Sequence, residues 1–201
     1  MPVTAVLNEL LNVSVALSSE KNTKTLLESI LLSAKRLSRA DGGTIYSVNE
    51  KNDLVFDTLF NDTLNMHIGG SSDRLSNLEP IPIYIDGNIN TSAIVATSAA
   101  TGKVIKIDDL AQASEYDLSR SRQMDQKYSY QTKTMLTIPM SNHEGDLSGV
   151  LQLVNARKVD SKIVIPFSDE ITRTVEALAS LASVALTNRQ LIDSMDELFQ
   201  S

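Results

Sequence analysis

The run Gly149-Val150-Leu151-Gln152-Leu153-Val154 constrains this chain more than any other segment. Read at a period of two, it is apolar on both faces, with one amide as the exception. Such a strand sits centrally, with a layer packed on each side of its sheet. A buried amide without a partner costs about 1–3 kcal/mol. Gln152 therefore needs one: a protein group or water that holds it as structure, or a ligand in a pocket it faces.

The segments around that strand change period twice. Val6, Leu7, Leu10, Leu11, Ser14 and Leu17 recur at three- and four-residue steps and predict a helix over 3–17. After a polar break at 18–22, Asn22 is placed to cap a second helix whose stripe runs Leu26, Leu27, Ile30, Leu31, Ala34, Leu37. Asp41-Gly42-Gly43 is expected to end it, with glycine in the left-handed conformation. The period then becomes two. Thr44–Val48 and Leu54–Phe60 read as strands joined by the polar turn 49–53, with Leu54, Phe56, Thr58 and Phe60 on one face. Residues 61–80 read as a long loop, of a length that is usually functional. Ile81, Ile83 and Ile85 alternate as a strand that Pro82 confines to an edge.

Thr91 or Ser92 is expected to cap a short helix through Ala100, closed by Thr101-Gly102. Val104–Ile107 reads as a strand and Asp117–Tyr128 as a short exposed helix. Thr134–Met140 and Leu147–Val154 read as strands joined by a glycine-bearing loop. Ser168 then caps a long helix with Asp169 and Glu170 in its first turn, favourable at the positive end of the helix dipole. Its stripe runs Ile171, Val175, Leu178, Ala182, Ala185, Ile192, Phe199, with Arg189 and Asp196 at intervening seam positions. A seam that turns polar predicts a helix leaving the domain, and one running to Ser201 without a stop signal is expected of a fragment. Helices at the ends around hairpin-connected strands indicate an α+β domain with a mostly antiparallel sheet.

Composition narrows the function. A net charge of −7 argues against non-specific binding to nucleic acid or to an anionic membrane, both of which need clustered Lys and Arg. No cysteine is present, so disulfides, thiol catalysis and cysteine-based metal sites are excluded. The N-terminal Met1-Pro2-Val3-Thr4 carries no basic leader and no apolar run spans a membrane, so a cytoplasmic protein is expected. His67 and His143 sit in polar stretches without partners at metal spacing and read as solvated loop residues. Asp108-Asp109 reads as a turn and Asp169-Glu170 as a helix start. No catalytic constellation and no metal site is expected in this segment; any enzyme activity would belong to a linked effector.

Three stretches, Ala40-Asp41-Gly42-Gly43-Thr44-Ile45-Tyr46, Ala99-Ala100-Thr101-Gly102-Lys103-Val104-Ile105 and Tyr130 through Met140, occur in an order that resembles a GAF domain. Asn142 through Ala156 is similar to the last hairpin of that family. The resemblance spans roughly residues 20–190 and leaves 1–19 as a separate helix and 191–201 as an outgoing one. Its flavour, including Asn61-Asp62-Thr63-Leu64, resembles GAF domains that precede HD-GYP phosphodiesterase or nucleotide cyclase modules in bacteria.

The resemblance implies a profilin-like, six-stranded sheet with flanking terminal helices and a pocket roofed by the short helices. Some members bind a cyclic nucleotide there; others bind another small molecule, a chromophore or nothing. The ligand-binding positions carry over as Thr44, Phe60, Asn61, Ile94, Asp125, Tyr128, Thr132 and Gln152, with Asn61 standing for an aspartate and Gln152 for a glutamate; Phe56-Asp57 matches the family's Phe-Asp pair literally but in a less suitable position. The family's Asn-Lys-Phe-Asp-Glu signature is broken after Asn155. Two functions compete: a small-molecule sensor regulating a linked effector, and a ligand-free module that dimerises through its terminal helices and transmits signal.

Overall fold

The computed structural model describes residues 3–72, 74 and 77–201, and the side chains of all of these except 185, 186, 189 and 190. It begins with two helices, α1 (Val3–Ser19) and α2 (Thr23–Ser38). Asn22 caps α2 as the sequence predicts, its Oδ1 accepting from the backbone N–H of Lys24 at 2.9 Å and of Thr25 at 3.3 Å. The other end differs from the expectation. Arg39, not a glycine, takes the left-handed conformation, at φ 57°.

Gly42 and Gly43 belong instead to β1 (Ala40–Val48), which pairs antiparallel with β2 (Asp53–Asn61). Close approach explains them. A Cβ on Gly43 would stand 2.8 Å from Leu31 Cδ1 on α2, and one on Gly42 the same distance from Asn61 Nδ2. The expected long loop contains a further strand, β3 (Met66–Gly69), against β2. Only Ile68 of its residues is buried, so the sequence carries little periodic signal there. The predicted edge strand is broken into β4 (Ile81–Pro82) on β2 and a separate small hairpin, β5 (Tyr84–Ile85) with β6 (Asn88–Ile89).

Helix α3 (Ile94–Thr101) ends at Gly102, φ 67°, as predicted, but its N-cap is Ala93 and no side chain caps it. Ser92 stands one residue before the cap position, and its hydroxyl is turned to Asn90 Oδ1, to which its backbone N–H also donates. Then follow β7 (Ile105–Ile107), α4 (Ser119–Tyr128), β8 (Met135–Ser141), β9 (Leu147–Arg157), the short β10 (Val164–Ile165) and α5 (Asp169–Gln200). Ser168 caps α5, accepting from the N–H of Ile171.

The main sheet runs β3-β2-β1-β9-β8-β7, antiparallel throughout, with β4 and β10 attached at the sides. The strand holding Gln152 is central. On one face Ile45, Leu136, Ile138, Leu151 and Leu153 bury against α2 and α5, and α1 lies over those helices. The other face carries Tyr46, Val150 and Met135 beneath α3 and the segment leading to it.

One irregularity changes the reading of β2. Ile45 pairs with Thr58 but Tyr46 pairs with Phe56, so Asp57 is an extra residue, a β-bulge. The expected single face of Leu54, Phe56, Thr58 and Phe60 is therefore split. Leu54 and Phe56 join the cluster under α3, whereas Phe60 packs on the helix-side core. Along α5 the buried positions run through Val175, Leu178, Ala182 and Ser183, while Ile192 and Phe199 are exposed. Ala185 and Arg189, both expected on the seam, lie outside the described side chains.

Candidate functional site

Between the sheet and the α3–α4 roof lies a cavity of two lobes, about 120 Å³ and 110 Å³. Thr44, Asp125, Thr132 and Gln152 line both, drawn from β1, α4, the segment before β8, and β9. Strand pairing puts Thr44 opposite Gln152, and Gln152 opposite Thr137, so these three share one sheet face. Ile94 borders the first lobe, and Asn61 and Tyr128 border the second. Of the eight positions carried over from the resemblance, Phe60 fits least. It touches the second lobe, but its ring stacks on His67 at 4.2 Å between centroids and packs into the helix-side core.

Gln152 satisfies half of its amide within the protein. Its Nε2 donates to Thr137 Oγ1 at 3.0 Å and contacts Met135 Sδ at 3.3 Å. Its carbonyl oxygen has no donor among the described residues. Asp125 and Thr132 satisfy one another. Asp125 Oδ1 accepts from the Thr132 hydroxyl and Oδ2 from its backbone N–H.

Behind the second lobe stands a polar network that residue-by-residue comparison does not find. The Tyr130 hydroxyl donates to Asp41 Oδ2 at 2.7 Å and accepts from Asn155 Nδ2 at 2.8 Å. Asp41 is buried, and Arg157 reaches it at 3.4 Å while also holding Asp62 at 2.9 Å. Asp62 in turn accepts from Lys35 of α2. Burial first, then the bond to Asp41 and its charge, hold the Tyr130 proton far above the ordinary phenol range. Asn155, at φ 58°, accepts from the N–H groups of Lys133 and Thr134 and fixes the entry to β8.

His67 is a correction. It is not a solvated loop residue but part of β3, partly buried between the Phe60 ring and Glu28, whose Oε1 lies 3.5 Å from its Nε2. His143 is exposed in its loop, as expected. Among the described residues no cluster of three potential metal ligands occurs, and no helix is long and apolar enough to cross a membrane.

Residues 22–186 match the family model of the GAF domain. The chain belongs to the GAF domain family. Over 178 residues it is 23% identical to a cGMP-specific 3',5'-cyclic phosphodiesterase of Drosophila ananassae, a match that covers 88% of this chain and 14% of that protein. The chain therefore spans only a small part of this curated relative. Among solved structures it resembles the GAF domain of a phosphoenolpyruvate-protein phosphotransferase from Coxiella burnetii, at 12% identity and a TM-score of 0.69, covering 96% of this chain and 99% of that one. It also resembles free methionine-R-sulfoxide reductase from Neisseria meningitidis, at 12% identity and a TM-score of 0.65, covering 96% and 95%. At such identities the likeness shows the fold.

Within this GAF domain, the cavity includes residues that the residue-by-residue reading sets aside or does not name. Phe56, rather than Phe60, lines the first lobe, its ring 4.7 Å from that of Tyr46. Burial pushes the Tyr46 phenol far above its ordinary range, and the charge of Arg120 acts the other way. Arg120 and Met124 project from α4 into the same lobe. The exposed character of α4 in the sequence hides them: none of its residues is fully buried, so no apolar stripe marks the inward side.

Proposed function

We propose that this GAF domain is a regulatory sensor whose cavity takes a small organic ligand, with a cyclic nucleotide as the candidate, and that it controls a linked phosphodiesterase, cyclase or similar effector in the cytoplasm. The observation that carries the reading is the convergence of Thr44, Asp125, Thr132 and Gln152 from four separate segments on one two-lobed cavity. The similarity to a stretch of a cGMP-specific phosphodiesterase supports the effector class. Each lobe compares with the ~150 Å³ of a cavity that takes benzene. Both are smaller than that, so a cyclic nucleotide would have to span the two lobes and push outward on the roof formed by α3 and α4.

Calorimetry with cyclic GMP and cyclic AMP, beside mass spectrometry of small molecules released from the purified chain, tests this. One-to-one heat with either nucleotide, or a stoichiometric co-purified compound, supports the reading. An empty protein that gives no heat at millimolar nucleotide overturns it.

A second reading, dimerisation through the terminal helices, is favoured by a separate observation. Val3, Leu7, Leu11 and Val15 recur every fourth residue of α1 and are all between 54% and 81% exposed. Leu191, Ile192, Met195, Leu198 and Phe199 are exposed on the last turns of α5. In this reading the module needs no ligand, and the end of α5, residues 191–201, is the outgoing segment that carries signal to the effector.

A further inference from the structure

Arg120 lines the first lobe and makes no salt bridge among the described residues. It is the one cation among the described residues lining either lobe. The nearest acid along its own helix, Asp125, turns its two oxygens to Thr132. The surrounding wall is apolar or aromatic: Tyr46, Phe56, Ile94, Met124 and Met135. Arg36 and Arg157 are tied to carboxylates, while Arg39, Arg122 and Arg173, like Arg120, have no salt bridge among the described residues. What sets Arg120 apart is its place, half-buried in the wall of this lobe.

We propose that the first lobe is the anion-accepting half of the cavity and that Arg120 is the residue that selects an oxyanion there, phosphate or carboxylate, with the part of the ligand inside this lobe no larger than one ring. This deepens the sensor reading and rests on it. The guanidinium presents a planar fork of donors that matches both oxyanions two bonds at a time. Poor solvation against the apolar wall strengthens such a contact, because screening by water is weaker there. Ser121 lies in the same lobe, placed to offer a neutral hydroxyl donor to a third oxygen. A nucleotide would then be oriented, its phosphate under Arg120 and its base beside Asn61 and Tyr128 in the second lobe.

The test titrates the full chain at fixed ionic strength with cyclic GMP, guanosine and benzoate, followed by amide chemical shifts. Cyclic GMP is expected to bind at least tenfold more tightly than guanosine. Arg120→Gln should erase that difference and leave guanosine unchanged, while Arg120→Lys should keep part of it. The charge is unpaired, so both variants should melt with the parent protein. Benzoate binding that depends on Arg120, with no response to cyclic GMP, keeps the anion site and removes the nucleotide reading. Identical isotherms for parent and Arg120→Gln with every anion, or no anion response at all, overturn the proposal.

Discussion

Thr132 donates twice to Asp125, from its hydroxyl to Oδ1 and from its backbone N–H to Oδ2, both at 2.8 Å. The pair ties the C-terminal half of α4 to the segment that enters β8. Two side chains that the family resemblance assigns to ligand are thus bound to each other. Each carboxylate oxygen keeps further accepting capacity, so the lock and a ligand contact are compatible.

Thr132→Val keeps the shape and the backbone bond but removes the hydroxyl donor. A hydrogen bond to a charged group is worth about 1.5–3 kcal/mol, and partial exposure of this one places the loss at the lower end. The midpoint of urea unfolding should fall accordingly at an unchanged slope. An unchanged midpoint would show that the pair stabilises nothing.

Gly149→Ala should be far more damaging than Gly87→Ala. A Cβ at 149 would meet the Tyr46 carbonyl oxygen at 2.1 Å and Met140 Cε at 2.8 Å, where β1 and β9 close on each other. Overpacking at such a site costs about 3 kcal/mol. At 87 the added carbon meets nothing, and only the left-handed φ of 78° is penalised, by about 1 kcal/mol. Thermal unfolding of the two variants side by side checks the order. Equal melting temperatures would refute the close-approach account.

Asp57 predicts a pH dependence. Burial raises its carboxyl above the ordinary 3.8, against the Ser47 hydroxyl and the charge of Lys24, which lower it. The folded state therefore holds this proton to higher pH than the unfolded chain does. Stability falls as pH rises from 3.8 through the folded value, and the cost is fully present above it. Asp57→Asn should gain stability over the parent at pH 7 and lose that advantage at pH 3. A constant difference across urea melts in that range would contradict the assignment.

Dimerisation through α1 predicts a mass by light scattering of twice the 21.9 kDa of the chain. Leu7→Glu with Leu11→Glu should return it to one chain without lowering the melting temperature of the domain. Both side chains are more than half exposed, whereas Val13 faces the core. A parent protein that stays monomeric at high micromolar concentration would rule this contact out.

Periodicity made the helices and long strands legible. The caps at Asn22 and Ser168, the closing Gly102 and the central strand around Gln152 all stand where residue chemistry puts them. Features set by tertiary contact were not legible. Gly42 and Gly43 look like a turn because glycine serves turns and close packing equally, and only the position of α2 against β1 separates the two uses. β3 has one buried side chain and pairs because β2 offers it an edge. The cavity itself was legible in part. Thr44 and Gln152 face it because a period of two fixes their side of the sheet. Arg120 was not, since a polar helix gives no sign of which side looks inward.

The extra residue at Asp57 has a consequence for anyone comparing sequences across this strand. On either side of it the same parity of residue number points to opposite layers, so Phe56 and Phe60, four positions apart, face different halves of the molecule. An alignment that misplaces a gap within 54–60 exchanges lining residues for core residues. In this domain the length of β2 is therefore information in its own right, and a one-residue deletion there would be a change of address for everything downstream to Asn61.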